Sequence, residues 1–541
     1  MEEKRKVARW RNRRIIFNND GDDVNVAETP HDVHVGLMTR TEGELIDDFL
    51  NARIRPLVGT QVNSYWYATT YDGLTFSHHT KLGGFLDRET SKELIDKYGR
   101  DNLETQVDFS HKNDMEVFWS LRMNDDHDSM PIHKRRWKYG LAPFKQEHPE
   151  YMMGDQHDWQ KYPKGPRHGW SRVDFSFPEV REHYFSLIEE VALNYDVDGI
   201  ELDFFRSYPY FRETLDMLPV ERKHLDMMTD LVGRVSKMAD EVGKKRGRPL
   251  LLAVRTPFTV KDSIFIGLDL ENWMKEELID ILVAGGAKES VMTESFNEIV
   301  NLGHKYGVPV YPNIDWGFWN YWVFLDVGSE KHRTFESWVK TLYGGHPRDT
   351  NKLSYAMIWN SWEGTAAAWR GAAINLLNSN PDGIYVFNGF IGTSTDTWRE
   401  IGDLKTMEGK NRIYGVDRFE GDSSFKDVQE LELPQRKPAK VHFQVGEDVR
   451  TGNPSKLKFR LHFWNFSIND DISVKLNDEV VEGLTPKGKN KTLLGGKWLE
   501  CKLSADQVTR GENRVEIIME KQDKTIDKPL ILDAVQLHVN Y

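Results

Sequence analysis

Short apolar runs alternate with segments of helical spacing along the first four fifths of the chain, and short strand-like runs alone follow them. The run in residues 178–194 sets the pattern. Pro178 suits a first helical turn, and Tyr184, Leu187, Ile188 and Val191 repeat at i, i+3, i+4 and i+7, which predicts an amphipathic helix. Residues 199–203 (GIELD) then read as a short buried strand entered through a glycine turn. Similar apolar runs begin near residues 13, 62, 116, 250, 281, 308 and 383, each separated from the next by helical sequence. Helices are predicted over 41–54, 91–110, 219–245, 270–280, 291–306 and 364–378.

Eight strand–helix units of this span predict a (β/α)8 TIM barrel, an α/β fold. A doubly wound open sheet is the competitor, but no Gly-x-Gly-x-x-Gly follows the first strand. Beyond residues 434–438 (PQRKP), which read as a linker, strand-like runs at 440–446, 456–466, 472–481, 497–504, 513–520 and 531–541 have no helices between them. That texture predicts a small all-β sandwich. The expected organisation is a catalytic barrel over 1–433 and an accessory sandwich over 434–541.

Side chains alternate along a strand, so Ile200 and Leu202 face one way and Glu201 and Asp203 the other. Two acids on one face of a buried strand are costly unless paired, hydrogen-bonded or functional. In such barrels chemistry occurs at the carboxyl ends of the strands. Pooling those ends gives Asn18, Asp20 and Asp22; Arg122, Asn124, Asp125 and His127; Glu201, Asp203 and Arg206; Arg255; Asp315 and Trp316; and Asn388. Glycoside cleavage requires two carboxyl groups, one to protonate the leaving oxygen and one to attack or to activate water.

Asp203, nearest the rim, is the expected nucleophile or charge stabiliser. Its partner is expected from Asp315 or Glu201, with Glu289 and Glu363 as further choices. Glu201 has a second reading, a buried carboxylate paired with Arg122 or Arg255 that orients Asp203. Asp20, Arg122, Asn124, His127, Arg206, Arg255 and Trp316 are expected to bind substrate. Arg122, Arg206 and Arg255 suit a carboxylate or sulfate on a glycan, or else neutralise the acidic cluster. Trp316, within residues 315–322 (DWGFWNYW), suits sugar stacking.

Composition narrows the function class. The chain of 541 residues is 39% hydrophobic and 29% charged, ordinary for a globular protein. A net charge of −13 argues against a nucleic-acid partner. A single cysteine, Cys501, excludes an internal disulfide framework and a cysteine zinc site. The basic N-terminus lacks an apolar h-region, so no signal peptide is expected and the reading as written is cytoplasmic, or periplasmic or secreted if a signal was trimmed. No apolar run approaches a membrane span, so no membrane partner is expected. The acidic loops at 19–23 and 124–128 have oxygen ligands but not EF-hand spacing, and neither cofactor nor metal is expected.

Four stretches, RRIIFNNDGDD, VFWSLRMNDDHD, YDVDGIELDFFR and AWRGAAINLLNSNPDGIYVFN, resemble the barrel signatures of bacterial family-10-like glycosyl hydrolases. The resemblance spans roughly residues 10–420 and implies a barrel acting on a poly- or oligosaccharide. The Asp-Gly-Ile-x-Leu-Asp strand is similar to those of other sugar-hydrolase barrels, where the last Asp is catalytic or assists the substrate; that role falls on Asp203. The Asn-Glu pair that ends the fourth strand in the large retaining clan is absent, and Phe204 and Phe205 follow Asp203 instead.

The leading expectation is therefore a glycoside hydrolase with a carbohydrate substrate. A non-catalytic glycan-binding barrel and a metal-dependent barrel enzyme acting on sugars are the alternatives.

Overall fold

The computed structural model describes residues 1–21, 23, 45–86, 89–129, 141–154, 170–215, 218–285, 295–315, 362–389, 395–416, 431–487 and 497–541. Eight strands close into a parallel barrel: β1 (Ile15–Asn19), β2 (Val62–Ala68), β3 (Glu116–Arg122), β4 (Gly199–Asp203), β5 (Leu251–Thr256), β6 (Ile281–Ala284), β7 (Val310–Asp315) and β8 (Ile384–Phe387). Each pairs with its neighbours in chain order, and β8 closes on β1. Both faces of such a sheet are covered, which is why runs such as LLAV in β5 are apolar throughout and wholly buried.

Helices Asn102–Lys112, Pro178–Asn194, Arg222–Arg246 and Asn297–Lys305 lead into β3, β4, β5 and β7. The helix before β4 buries Tyr184, Leu187, Ile188 and Val191, the stripe its sequence predicts. The helix predicted over 270–280 is shorter, Leu270–Lys275, and a second short helix that the pattern does not predict, Val260–Phe265, precedes it, with Gly267 in a left-handed conformation between the two.

The amino ends of the strands share a clamp. Asp198, just before β4, accepts the Val117 N–H of β3 at 2.9 Å and contacts His111 Nε2 at 3.0 Å. Asp382, just before β8, accepts the Val310 N–H of β7 at 2.8 Å and contacts His304 Nε2 at 2.9 Å. Asp280, before β6, accepts the Leu252 N–H of β5 at 2.8 Å and pairs with Arg5 and Arg9 of the helix Glu2–Arg9. Each carboxylate satisfies the otherwise open edge of the preceding strand and meets a basic group from outside the sheet.

The two Asp-Gly-Ile stretches echo each other in sequence but need their glycines for different reasons. At Gly199, in β4 rather than in a turn, a Cβ would lie 2.3 Å from the Phe118 ring. Phe118 fills the barrel interior there, stacked on Trp66 at 4.5 Å. At Gly383 a Cβ would lie 1.9 Å from the Arg13 carbonyl oxygen, and φ is +157°.

The described chain forms two compact units. One comprises Met1–Ala287, Phe296–Asp315 and Pro381–Gly389 and contains the barrel. The other comprises Lys288–Ser295, Trp316–Asn380 and Phe390–Tyr541. In it, one antiparallel sheet runs in the order Arg412–Val416, Ile531–Asn540, Lys456–Trp464, Lys497–Leu503, Thr485–Lys487, with Leu431–Glu432 also on Ile531–Asn540. A second runs Pro438–Val445, Gly511–Lys521, Asp471–Leu476, Glu479–Val480. Strand Arg412–Val416 joins the first sheet although it precedes residues 434–438, and the sequence pattern did not predict it. Its Ile413 passes under the helix Trp362–Leu377, where a Cβ on Gly371 would lie 2.0 Å from the Ile413 carbonyl oxygen.

Candidate active site

Strand register decides what each acid of β4 meets. Asp203 lies between Arg122 of β3 and Arg255 of β5, whereas Glu201 lies between Ser120 and Ala253. The row at the carboxyl end is therefore Arg–Asp–Arg, and the row beneath it is Ser–Glu–Ala. The two carboxyl groups share a face but not an environment.

Asp203 is ion-paired. Its Oδ2 accepts from Arg255 Nη1 at 3.1 Å and its Oδ1 from the Phe205 N–H at 3.0 Å. The Arg255 guanidinium lies 4.4 Å from the centre of the Phe387 ring, and that of Arg206 lies 5.4 Å from it. Phe387 thus seats two of the three strand-end arginines by cation–π contact.

Glu201, fully buried, has no ion pair of its own among the described residues. It accepts hydrogen bonds from Ser120 Oγ, from Asn18 Nδ2 at 3.3 Å, and from Tyr385 Oη at 2.9 and 3.0 Å to its two oxygens. Burial, and next the neighbouring Asp203 charge, push its carboxyl up to about 8, against the smaller opposing effect of Arg255 and the hydrogen bonds. The expected pairing of Glu201 with Arg122 or Arg255 is not what the structure holds, because the register gives it small neighbours and Arg255 turns to Asp203.

Arg122 is held by two acids, Asp20 Oδ1 at 2.5 Å and Asp125 Oδ2 at 2.8 Å. Asp20 also meets Arg206 at 3.3 Å. Burial alone would raise the Asp20 carboxyl, but Arg122 and Arg206 outweigh it and hold it below the usual range. Asp125 behaves alike: burial opposes ionisation, and His127 with Arg122 overcomes it, leaving the carboxyl well below its usual range. His127, half-exposed, lies 2.8 Å from Asp125 through Nδ1, and the Asp125 charge raises its pKa. Asp20, Arg122, His127, Arg206 and Arg255 therefore gather with Asp203 at the carboxyl end of β1, β3, β4 and β5.

Asn124 is turned elsewhere. Its amide donates to the Val173 carbonyl at 3.0 Å and accepts the Val173 N–H at 3.1 Å, fastening the segment before β4's helix. Asp315 ends β7 with its backbone paired to Phe387. Its side chain lies outside the described residues, as do Trp316, Asp22, Glu289 and the Glu363 side chain. Between β3 and the helix Pro178–Asn194, the basic and aromatic residues His133, Lys134, Arg135, Arg136, Trp137, Lys164, Arg167 and His168 also lie outside them.

The acids of the two loops are engaged by protein donors. Asp128 accepts from buried Lys145 at 2.9 Å and from Ser171, Asp126 from Arg172 at 2.8 Å, and Asp23 from Tyr67 at 3.0 Å and Asn19 at 2.7 Å. Among the described residues, no group of three or more His, Cys, Asp or Glu side chains is arranged to hold a metal ion.

Four residues near the candidate site are not among those the sequence marks: Ser120, Tyr385, Phe387 and Arg53. Arg53 ties Asn19 Oδ1 at 2.6 Å to Asn388 Oδ1 at 3.3 Å across the β1–β8 seam. For Ser120, Tyr385 and Phe387 a signal existed in the alternation, since 118, 120 and 122, and 385 and 387, share the inward face with the acids. None existed for Arg53.

The stretch that carries β2, β3 and β4 is also where sequence comparison speaks. Residues 45–216 match the family Glycosyl hydrolase-like 10. The match ends just beyond the strand that bears Glu201 and Asp203. No curated protein matches the chain. Solved structures similar to it include α-L-fucosidase isoenzyme 2 of Paenibacillus thiaminolyticus, at 13% identity and a TM-score of 0.40 over 72% of this chain and 48% of that one. A cycloisomaltooligosaccharide glucanotransferase of a Paenibacillus species aligns at 10% identity and a TM-score of 0.33; 98% of this chain is covered, which spans 57% of that enzyme. An Anoxybacillus α-amylase aligns at 12% identity and a TM-score of 0.32 over 95% and 99% of the two chains.

Proposed function

We propose that this chain is a glycoside hydrolase in which Asp203 is the ionised carboxylate at the reacting centre. The observation that supports this most is the split between the two acids of β4. Asp203 is matched by a guanidinium and a backbone N–H, while Glu201 is held by neutral groups alone. Two carboxyl groups held in unlike surroundings, one ion-paired and one among neutral donors, are the arrangement that acid–base sugar chemistry uses. The Glycosyl hydrolase-like 10 match over residues 45–216 supports a carbohydrate substrate, which we take to be a poly- or oligosaccharide.

In this reading Asp203 attacks the anomeric carbon or stabilises its developing positive charge, and a second carboxyl from across the barrel protonates the leaving oxygen. Asp315, at the end of β7, is the proposed acid. Asp20, His127 and Arg206 border the same rim and offer hydrogen bonds to sugar hydroxyls. Arg122, Arg206 and Arg255 each already face a carboxylate. An anionic glycan would have to compete with Asp20, Asp125 and Asp203 for them, so we favour a neutral sugar at the cleaved position.

The test is release of sugar by the wild-type chain from a panel of aryl glycosides and of neutral and anionic glycans. Turnover of neutral members is expected. Retained glycan binding with no product from any member would instead support a non-catalytic barrel, a reading favoured by the internal pairing of Asp20, Arg122 and Asp125.

A further inference from the structure

Glu201 lies on the same strand face as Asp203, yet the cleavage outlined above gives it no step. The groups around it come from four other strands. Ser120 of β3 and Asn18 of β1 are neutral donors, Tyr385 of β8 places its hydroxyl on both carboxyl oxygens, and Arg255 of β5 is bound to Asp203. On its own strand the charged neighbour is Asp203. One layer up, Arg122 is held by Asp20 and Asp125. An ionised Glu201 would therefore place a second negative charge beside Asp203, fully buried, with no cation bound to it among the described residues.

A neutral carboxyl fits the same contacts without that cost. Its Oε2–H donates to Ser120 Oγ, and its Oε1 accepts from the Tyr385 hydroxyl at 2.9 Å. We propose that Glu201 is a positioning residue that stays protonated at neutral pH, so that the Glu201–Asp203 pair carries one negative charge and carries it on Asp203. Tyr385 and Ser120 set the orientation of the neutral acid. This rests on the reading of Asp203 as the reacting group only for its functional meaning, not for its test.

The decisive variant is Glu201→Gln, because a glutamine reproduces the neutral acid once the Asn18 amide turns over: its Oε1 accepts from Tyr385, and its Nε2 donates to Ser120 and to Asn18 Oδ1, which has no partner among the described residues. Folding transfers a proton to a carboxyl whose folded pKa lies above its unfolded one, so wild-type stability falls as pH rises from the unfolded value through the folded value. Glu201→Gln removes that fall. Thermal unfolding of both proteins from mildly acid to mildly alkaline pH should show the variant gaining on wild type as pH rises. A variant that fails to fold, or is weakened equally at every pH, overturns the proposal.

Infrared difference spectra supply a second reading that needs no substrate. Wild type at neutral pH should show a protonated-carboxyl band that Glu201→Gln lacks, and identical spectra would overturn the proposal. Tyr385→Phe keeps the acid but removes a donor that favours its ionised form, so the band should persist to higher pH. Loss of the band at lower pH counts against it. All of these results are independent of glycan turnover, so a failure of the hydrolase reading is separately visible.

Discussion

Asp203 and Arg255 stand opposite each other in register on β4 and β5 and form an ion pair at 3.1 Å, with side-chain exposures of 2% and 1%. Removing one partner of a buried pair leaves the other uncompensated, at about 3–5 kcal/mol. Arg255→Met should therefore lower stability by about that amount in denaturant unfolding. The double variant Asp203→Asn/Arg255→Met should recover part of the loss, since neither charge then remains. Equal stability of Arg255→Met and wild type would show that the pair does not hold the site.

Gly199 and Phe118 share a space that admits only one side chain. With a Cβ at position 199 placed 2.3 Å from the Phe118 ring, Gly199→Ala forces the ring or the strand to shift. The expected cost is about 1–3 kcal/mol of overpacking. Phe118→Leu, itself destabilising through lost volume, should partly rescue Gly199→Ala, giving a coupling of about 0.5–3 kcal/mol in a double-mutant cycle. Strict additivity would place the strain elsewhere.

The His111–Asp198 clamp at the amino end of β3 and β4 predicts a pH window. The hydrogen bond to Asp198 is the main cause that raises the His111 pKa above 6.5. A raised histidine contributes stability that is fully present below the unfolded pKa and is lost as pH rises through the folded one. For Asp198 burial works against ionisation, but the His111 and Val117 N–H bonds prevail and lower its pKa below 3.8. Its contribution is present above the unfolded value and lost as pH falls through the folded one. The pair should therefore matter most between those limits. The melting temperature of His111→Gln should trail wild type most in mildly acid solution, and the gap should close as pH becomes alkaline. Because His111 is 34% exposed, the gap should also shrink with added salt.

Much of the barrel was legible because its signals are local. The apolar runs and the 3.6-residue stripes place all eight strands in order, and β4 begins where GIELD begins. The alternation that puts Glu201 and Asp203 on one face is equally local. What each acid meets is not. Tyr385 reaches Glu201 across 184 positions of sequence and Arg255 reaches Asp203 across 52, so the partners depend on barrel closure and register. In sequence, IYVF reads as core; alternation puts Tyr385 and Phe387 on one face, but only barrel closure decides that this face meets the acids rather than a helix. Gly199 illustrates the converse. Its turn-like setting in DVDGI suggested conformational freedom, whereas the structure requires its small size. Strand Arg412–Val416 was missed because RIYGV is short and its pairing partner lies at the other end of the unit, in Ile531–Asn540.

The central claim is that Asp203 carries the reacting charge, and Asp203→Asn tests it most directly because the amide keeps the shape of the side chain. On whichever glycan wild type cleaves, kcat/KM of Asp203→Asn should fall by at least about 10²-fold while glycan binding persists. Turnover within a few-fold of wild type by a folded Asp203→Asn protein would contradict the account.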